Sequence, residues 1–230
     1  EAMMAEPLKW PVGSKYVYCD TGYMVLGMVI GQIVQQNGFI KPTELMEDCP
    51  SVDEQGWQQC YYEAFVRKFV NERLGLRNTM FKPPKQVWWN VAPTENDTWY
   101  RHQVVQGQIH DENTFAMGGV AGHAGVFSTV LDVLTFGRAW LNAVIGNDDQ
   151  EGGFINSTTA RYFTRVYNST QSSRMIGWNG NDPTMHGYGD GGMCGTLSPR
   201  TFMHTGFTGT LLCVDPERRI VAVFLSNRTY

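Results

Sequence analysis

The chain has 230 residues, of which 42% are hydrophobic, enough to bury the core of one domain or of one domain with a small lobe, and we take one. Its formal net charge of −4, with lysines and arginines scattered singly, leaves no basic stripe for nucleic acid and no polybasic membrane anchor. No apolar run approaches the ~18 residues of a membrane helix, and the first residues do not show the basic-then-apolar layout of a signal peptide.

Residues 3–15 hold Pro7, Pro11 and Gly13 and read as a loop. From Thr21 onward, Tyr23, Leu26, Val29, Ile30 and Ile33 recur at helical spacing, with Asp20 placed as N-cap and Asn37-Gly38 as terminator. Residues 41–58 are polar and irregular, and Gln59–Leu74 reads as an amphipathic helix closed by Gly75. Residues 76–92 form a connection whose Trp88 and Trp89 are expected to pack, and residues 90–110 show no clear period. Gly118–Gly125 is too rich in glycine for a regular element, so a wrapped loop is expected there. Thr129-x-x-Asp132 reads as a capping box opening a helix over Val130–Ile145. Beyond an acidic loop at 146–153, Ser157–Tyr167 reads as a helix, 168–173 as a polar turn and Ile176–Trp178 as a short strand. Residues 179–195, which include His186, read as a glycine-rich loop over a site.

The last stretch is the most informative. Thr208–Val214 and Ile220–Ser226 flank Asp215-Pro216-Glu217-Arg218, the pattern of an antiparallel hairpin. Ahead of it stands His204-Thr205-Gly206-Phe207-Thr208-Gly209, where glycines admit a close backbone or ligand beside an imidazole and a hydroxyl.

That string resembles the Lys/His-Thr-Gly strand of the serine β-lactamase and penicillin-binding-protein superfamily. Tyr18-Cys19-Asp20 resembles its Tyr-x-Asn/Asp motif at a helix start, and Gly118–Thr129 resembles a glycine-rich segment of the same family, in the same order. With Ala92-Pro93-Thr94-Glu95 and His110-Asp111-Glu112-Asn113, the likeness is closest to the branch of class C-like penicillin-binding carboxypeptidases and esterases. It implies an α+β fold: an antiparallel sheet flanked by helices, with a mostly helical lobe over 20–145 and a sheet-forming part over 174–230, incomplete at both ends. Cys49–Cys60 lies where the family pattern looks interrupted by an insertion.

Acyl transfer needs a nucleophile, a base and donors for the oxyanion. The family's nucleophile is the serine of a Ser-x-x-Lys helix, and no serine here has Lys three residues on. The resemblance therefore implies a nucleophile in a segment outside these residues, or in a second chain carrying the N-terminal part of the fold; a catalytically silent relative is the competing reading. By resemblance, Tyr18 is the base or proton relay, and His204 binds a substrate carboxylate or tunes Tyr18. Thr205 and Gly206 line the substrate, and the Phe207 N–H on the strand edge is an oxyanion donor. Asp20 stands where Asn is usual and, ionised, can only accept hydrogen bonds. The implied substrate is a small amide or ester, with no cofactor.

Two further readings are weaker. His110, Asp111, Glu112 and His123 could be drawn as a metal site, but adjacent residues on one backbone rarely point at one ion, and His123 is expected to bond backbone among the glycines. A carbohydrate-binding module rests only on the Trp and Tyr content. Among five cysteines, Cys49 and Cys60 bracket a loop that a disulfide could close, while Cys19 is expected to be unpaired. Sequons at Asn96, Asn156 and Asn168 fit a secreted, glycosylated chain, periplasmic if bacterial; Asn227 is less suited because its strand is expected to be central.

Overall fold

The computed structural model describes residue 5 and residues 7–52, 54–147, 153–182 and 192–230. His186, most of the 179–195 loop and the middle of the 146–153 loop lie outside the described residues, as does the start of the N-terminal loop. The chain divides into two compact units, Glu1–Val66 with Asp111–Gly125, and Arg67–His110 with Val126–Tyr230.

The first unit is helical. Helix α1 spans Asp20–Gln36, α2 spans Trp57–Val66 and the short α3 spans Glu112–Ala116. Cys19 is the N-cap of α1, without a side-chain bond, and Asp20 sits in the first turn, so the expected Asp20 cap is corrected; there its charge still complements the helix dipole. Asn37 ends α1 by donating from Nδ2 to the Ile33 carbonyl at 2.8 Å. The face of α1 that packs is Met24, Gly27, Gly31 and Val34, with Gly31 so near the Gln58 carbonyl that a Cβ would fall 2.0 Å from its oxygen. Tyr23, Leu26, Val29, Ile30 and Ile33, the apolar set read from the sequence, all remain 38–51% exposed. A disulfide joins Cys49 to Cys60, and Cys19 is free and exposed.

The second unit is built on a four-stranded antiparallel sheet, ordered β5 (Asn179–Gly180), β6 (Phe202–Gly206), β7 (Thr210–Asp215) and β8 (Ile220–Leu225). The expected strand at Ile176–Trp178 is instead a bend with Gly177 in the left-handed region, and the strand follows it at Asn179–Gly180. β8, expected to be central, is an outer strand of this sheet among the described residues. Two small ladders complete the unit: β1 (Met80–Phe81) with β4 (Val126–Phe127), and β2 (Glu95–Asp97) with β3 (Gln103–Val105). The second lies where no period was legible. Its buried Asp97 takes the N–H groups of Trp99, Tyr100 and Arg101 and pairs with Arg101 Nε at 3.2 Å.

Helix α4 (Val130–Ile145) packs on the sheet with Gly137 against Val221 and Leu212, where a Cβ would come within 2.7 and 2.9 Å of their methyls. Trp140, Trp178, Phe202, Leu212 and Val214 form the core beneath it, with Trp178 edge-on to Phe202 at 4.9 Å. Thr129 Oγ1 caps α4 by accepting from the Asp132 N–H. The return half of the capping box is absent, because Asp132 Oδ2 accepts from the Asn78 N–H and Thr79 Oγ1 instead. Helix α5 (Ser157–Phe163) stops short of Tyr167: Thr164 bonds back to Ala160, and the Tyr167 N–H donates to Arg174. A second disulfide, Cys194–Cys213, ties the segment before β6 to β7.

Asp215, fully buried at the end of β7, accepts from the Ser198 N–H and Oγ and from the Glu217 and Arg218 N–H groups, at 2.7–3.0 Å. Burial alone would raise its pKa, but these donors outweigh it and hold the carboxyl below its ordinary value. Asp215→Ala, which strands those donors, should cost about 2–4 kcal/mol in urea unfolding at neutral pH. Because the folded pKa is depressed, the wild-type advantage is present above the unfolded value near ~3.9 and fades as pH falls through the folded one. An advantage that grows on acidification counts against this account.

Candidate active site

The site grows from a mismatch in strand length. β5 pairs with β6 only at Asn179–Met203 and Gly180–Phe202, whereas β7 pairs along β6 from Phe202 to Gly206. His204, Thr205 and Gly206 thus have a strand on one side and, among the described residues, none on the other. Such an edge presents backbone donors and acceptors to an extended ligand. A larger residue at Gly206 would force Thr210 to move, since a Cβ there would sit 2.1 Å from Thr210 Oγ1. Phe207 lies one residue past the strand, in the turn to β7, rather than on the strand edge itself.

His204 is exposed, and its Nδ1 lies 2.8 Å from the Thr205 carbonyl. A carbonyl only accepts, so Nδ1 carries the proton, and the neutral ring presents Nε2 as an acceptor. Protein bulk around the ring is the main influence lowering its pKa; the Thr205 carbonyl works against it and the Arg174 charge adds to it. Part of the residue stays in water, which screens these effects. Near neutral pH the ring is therefore neutral, with Nε2 as an acceptor.

Around Phe207 the structure assembles side chains whose grouping the sequence did not reveal. The His110 ring stacks on Phe207 with centroids 5.5 Å apart, and its Nε2 faces Glu95 Oε2 at 3.3 Å. The Arg228 guanidinium lies over the Phe207 ring, 4.8 Å from its centroid, and donates from Nε to the Phe207 carbonyl at 2.6 Å. Glu95 and His110 belong to two separate stretches singled out in the sequence, but only the β2–β3 hairpin shows that they meet.

In the first unit, Tyr18 is 64% exposed on the segment entering α1, and Asp20 is half-buried. His123 bonds the side chains of Asp111, at 3.0 Å, and Thr114, at 3.1 Å, not backbone, which corrects the expectation. The Asp111 carboxyl is held below its usual range: burial raises it, but the Thr114 N–H and His123 prevail. No group of three or more metal-ligating side chains lies together among the described residues.

The Beta-lactamase family model matches residues 1–230, and the chain belongs to that family. It is 30% identical over 253 residues to a putative D-alanyl-D-alanine carboxypeptidase of Escherichia coli K12 and 29% identical over 245 residues to one of Salmonella typhi. All of this chain is covered but only 49% of each relative, so it spans about half the length of the curated relatives it matches. A β-lactamase structure from Mycobacterium bovis superposes with TM-score 0.54 at 16% identity, covering 95% of this chain and 58% of that one. A penicillin-binding-protein homologue from Caulobacter crescentus gives 0.50 at 15% identity, covering 88% and 59%. The fold is β-lactamase-like, mixed α+β, with helices and small antiparallel sheets.

The histidine assignment is testable by nitrogen-detected NMR titration. His204 should titrate below the ordinary ~6.5, with Nδ1 protonated throughout and Nε2 losing its proton as pH rises. Arg174→Gln should move the midpoint upward. A midpoint above ~6.5, or a neutral form protonated on Nε2, contradicts the assignment.

Proposed function

We propose that this chain is part of a serine hydrolase acting through an acyl-enzyme on a small amide or ester, of carboxypeptidase, β-lactamase or esterase type. In this reading residues 1–230 form one domain, and the nucleophile comes from a segment outside them. The observation that carries the reading is the His204-Thr205-Gly206 edge, which no second strand covers among the described residues. An acyl substrate laid along that edge would add as a short strand, with the Thr205 hydroxyl beside it and the Phe207 N–H aimed at the developing oxyanion. Tyr18 would take the nucleophile's proton, and neutral His204 would accept from the Tyr18 hydroxyl through Nε2. Asp20, acceptor only, would orient a donor on the nucleophile segment or the substrate.

The names of the Escherichia coli and Salmonella typhi relatives support a D-alanyl-D-alanine-type substrate. The exposed stripe Tyr23, Leu26, Val29, Ile30 and Ile33 on α1 supports a covering segment, since an apolar helix face of that extent ordinarily meets a partner. Two disulfides favour an oxidising setting, secreted or periplasmic. Asn96 and Asn156 are exposed, and Asn156 and Asn168 accept hydrogen bonds through Oδ1, which suits Nδ2 to carry a glycan. Asn227 donates from Nδ2 to the Pro93 carbonyl and is a poor acceptor. A catalytically silent relative is the second reading, favoured by the absence of any Ser-x-x-Lys in the chain.

The 230 residues alone should not be labelled by a fluorescent penicillin nor hydrolyse p-nitrophenyl esters above background. Adding the Ser-x-x-Lys segment, in cis or as a second chain, should restore labelling, and Tyr18→Phe should then lower it by about 10²-fold or more. A crystal structure of the completed protein should place the Tyr18 hydroxyl within about 6 Å of the His204 ring, two hydrogen-bond lengths. Labelling of the fragment alone would falsify the assignment of the nucleophile. A completed protein that stays unlabelled favours the silent relative.

A further inference from the structure

At the opposite end of the β6–β7 ladder from His204-Thr205-Gly206, the second unit holds a cavity of about 270 Å³ whose lining includes Arg161, Arg165 and Arg200. The register fixes the separation: Phe202 pairs with Val214 next to the cavity, Gly206 with Thr210 at the site end, and four strand steps span roughly 13 Å. No carboxylate lines the cavity. Among the described residues, none forms an ion pair with any of the three guanidinium groups.

Arg161 is partly accounted for, because its Nε donates to the Val144 carbonyl at 2.8 Å in the last turn of α4, where a cation is welcome. Arg165 stacks over the Tyr162 ring at 4.3 Å, which orients the guanidinium but leaves its N–H groups unspent. Nothing comparable holds Arg200. The nearest buried anion, Asp215, is turned to Ser198, Glu217 and Arg218. All three arginines are exposed at the cavity mouth, where water screens their repulsion, and no carboxylate among the described residues pairs with them. Apart from Thr164, whose hydroxyl donates to the Ala160 carbonyl, the remaining wall is apolar, with Met175, Pro199 and Pro216 among the lining residues.

We propose that this cavity binds an oxyanion carried on an apolar body, a phosphate or carboxylate monoester-sized ligand whose charged head meets Arg165 and Arg200 and whose tail lies on Met175 and the prolines. The guanidinium fork suits two oxygens of such a head, and the ligand supplies the charge that the cavity lacks. The site is separate from the β6 edge and does not depend on the hydrolase reading.

The test uses the full chain at constant ionic strength. Inorganic phosphate and octyl phosphate are titrated calorimetrically, and phenylglyoxal modification of arginines is mapped by mass spectrometry with and without each. Expected are one site per chain, tighter binding of octyl phosphate than of phosphate by at least tenfold, and protection confined to Arg161, Arg165 and Arg200. Arg165→Gln with Arg200→Gln should weaken binding at least tenfold while leaving the thermal midpoint and the near-ultraviolet spectrum of the tryptophans unchanged. Arg161 is left intact because it ties α5 to α4. Binding that survives the double substitution, protection at other arginines, or no saturable heat from either ligand overturns the site; equal affinity for the two ligands overturns the apolar half of the assignment.

Discussion

The buried carboxylate of Asp215 is the constraint on which the functional half of the second unit depends. It gathers the Ser198 amide and hydroxyl, from the segment entering β6, and the Glu217 and Arg218 amides, from the turn leaving β7. A buried charge with four donors tolerates few alternative arrangements, since any slip leaves either the charge or an N–H group unmatched. The β6–β7 register is thereby held at Phe202–Val214, and everything further along β6 follows: His204 opposite Leu212, Thr205 opposite Leu211, Gly206 opposite Thr210. With Phe202 locked into the Trp140–Trp178 core, the His-Thr-Gly end is delivered to the position where β5 has already stopped.

What could be read in the sequence was whatever is encoded locally. The β7–β8 hairpin has runs of β-branched residues around a Pro-containing turn, and α4 has a Thr cap ahead of a period and Gly146 after it. These signals live within a few residues of one another, so no partner is needed to see them. β5 carried no such signal: Asn179-Gly180 is polar and flexible, and it is a strand only because Met203 and Phe202 pair with it. The His123–Asp111 and His110–Glu95 pairs, and the Cys194–Cys213 bridge, join positions that only the folded path brings together. The resemblance identified the His204-Thr205-Gly206 strand, while the His204 tautomer depended on one backbone carbonyl whose position no motif specifies.

Helix α1 shows how a correct period can mislead about packing. Its sequence holds two apolar faces, a large one at Tyr23, Leu26, Ile30 and Ile33 and a small one at Met24, Gly27, Gly31 and Val34, and hydropathy favours the large one as the core face. The structure buries the small one, because close helix approach needs small residues: Gly31 meets the Gln58 backbone and Gly27 the Gly122 backbone, where a Cβ would lie 2.9 Å from its nitrogen. A helix with both faces apolar is one meant for burial all round. The large face stays exposed in these 230 residues.

The chemistry at position 204 differs from a simple exchange of Lys for His. A lysine ammonium has three donors and no lone pair, whereas this histidine, its Nδ1 proton spent on the Thr205 carbonyl, offers a lone pair at Nε2 and is neutral near pH 7. Asp20, when ionised, is likewise an acceptor. If Tyr18 converges on them as proposed, the pocket contains two acceptors and one phenol, and the phenol proton is drawn toward His204 rather than repelled by a cation. Such a site favours a nucleophile segment that brings its own positive charge, which is the role a Ser-x-x-Lys lysine would fill. Acid would reverse the balance: protonating Nε2 turns His204 into a donor and a cation, so substrates bearing a free carboxylate should gain most as pH falls through its lowered pKa.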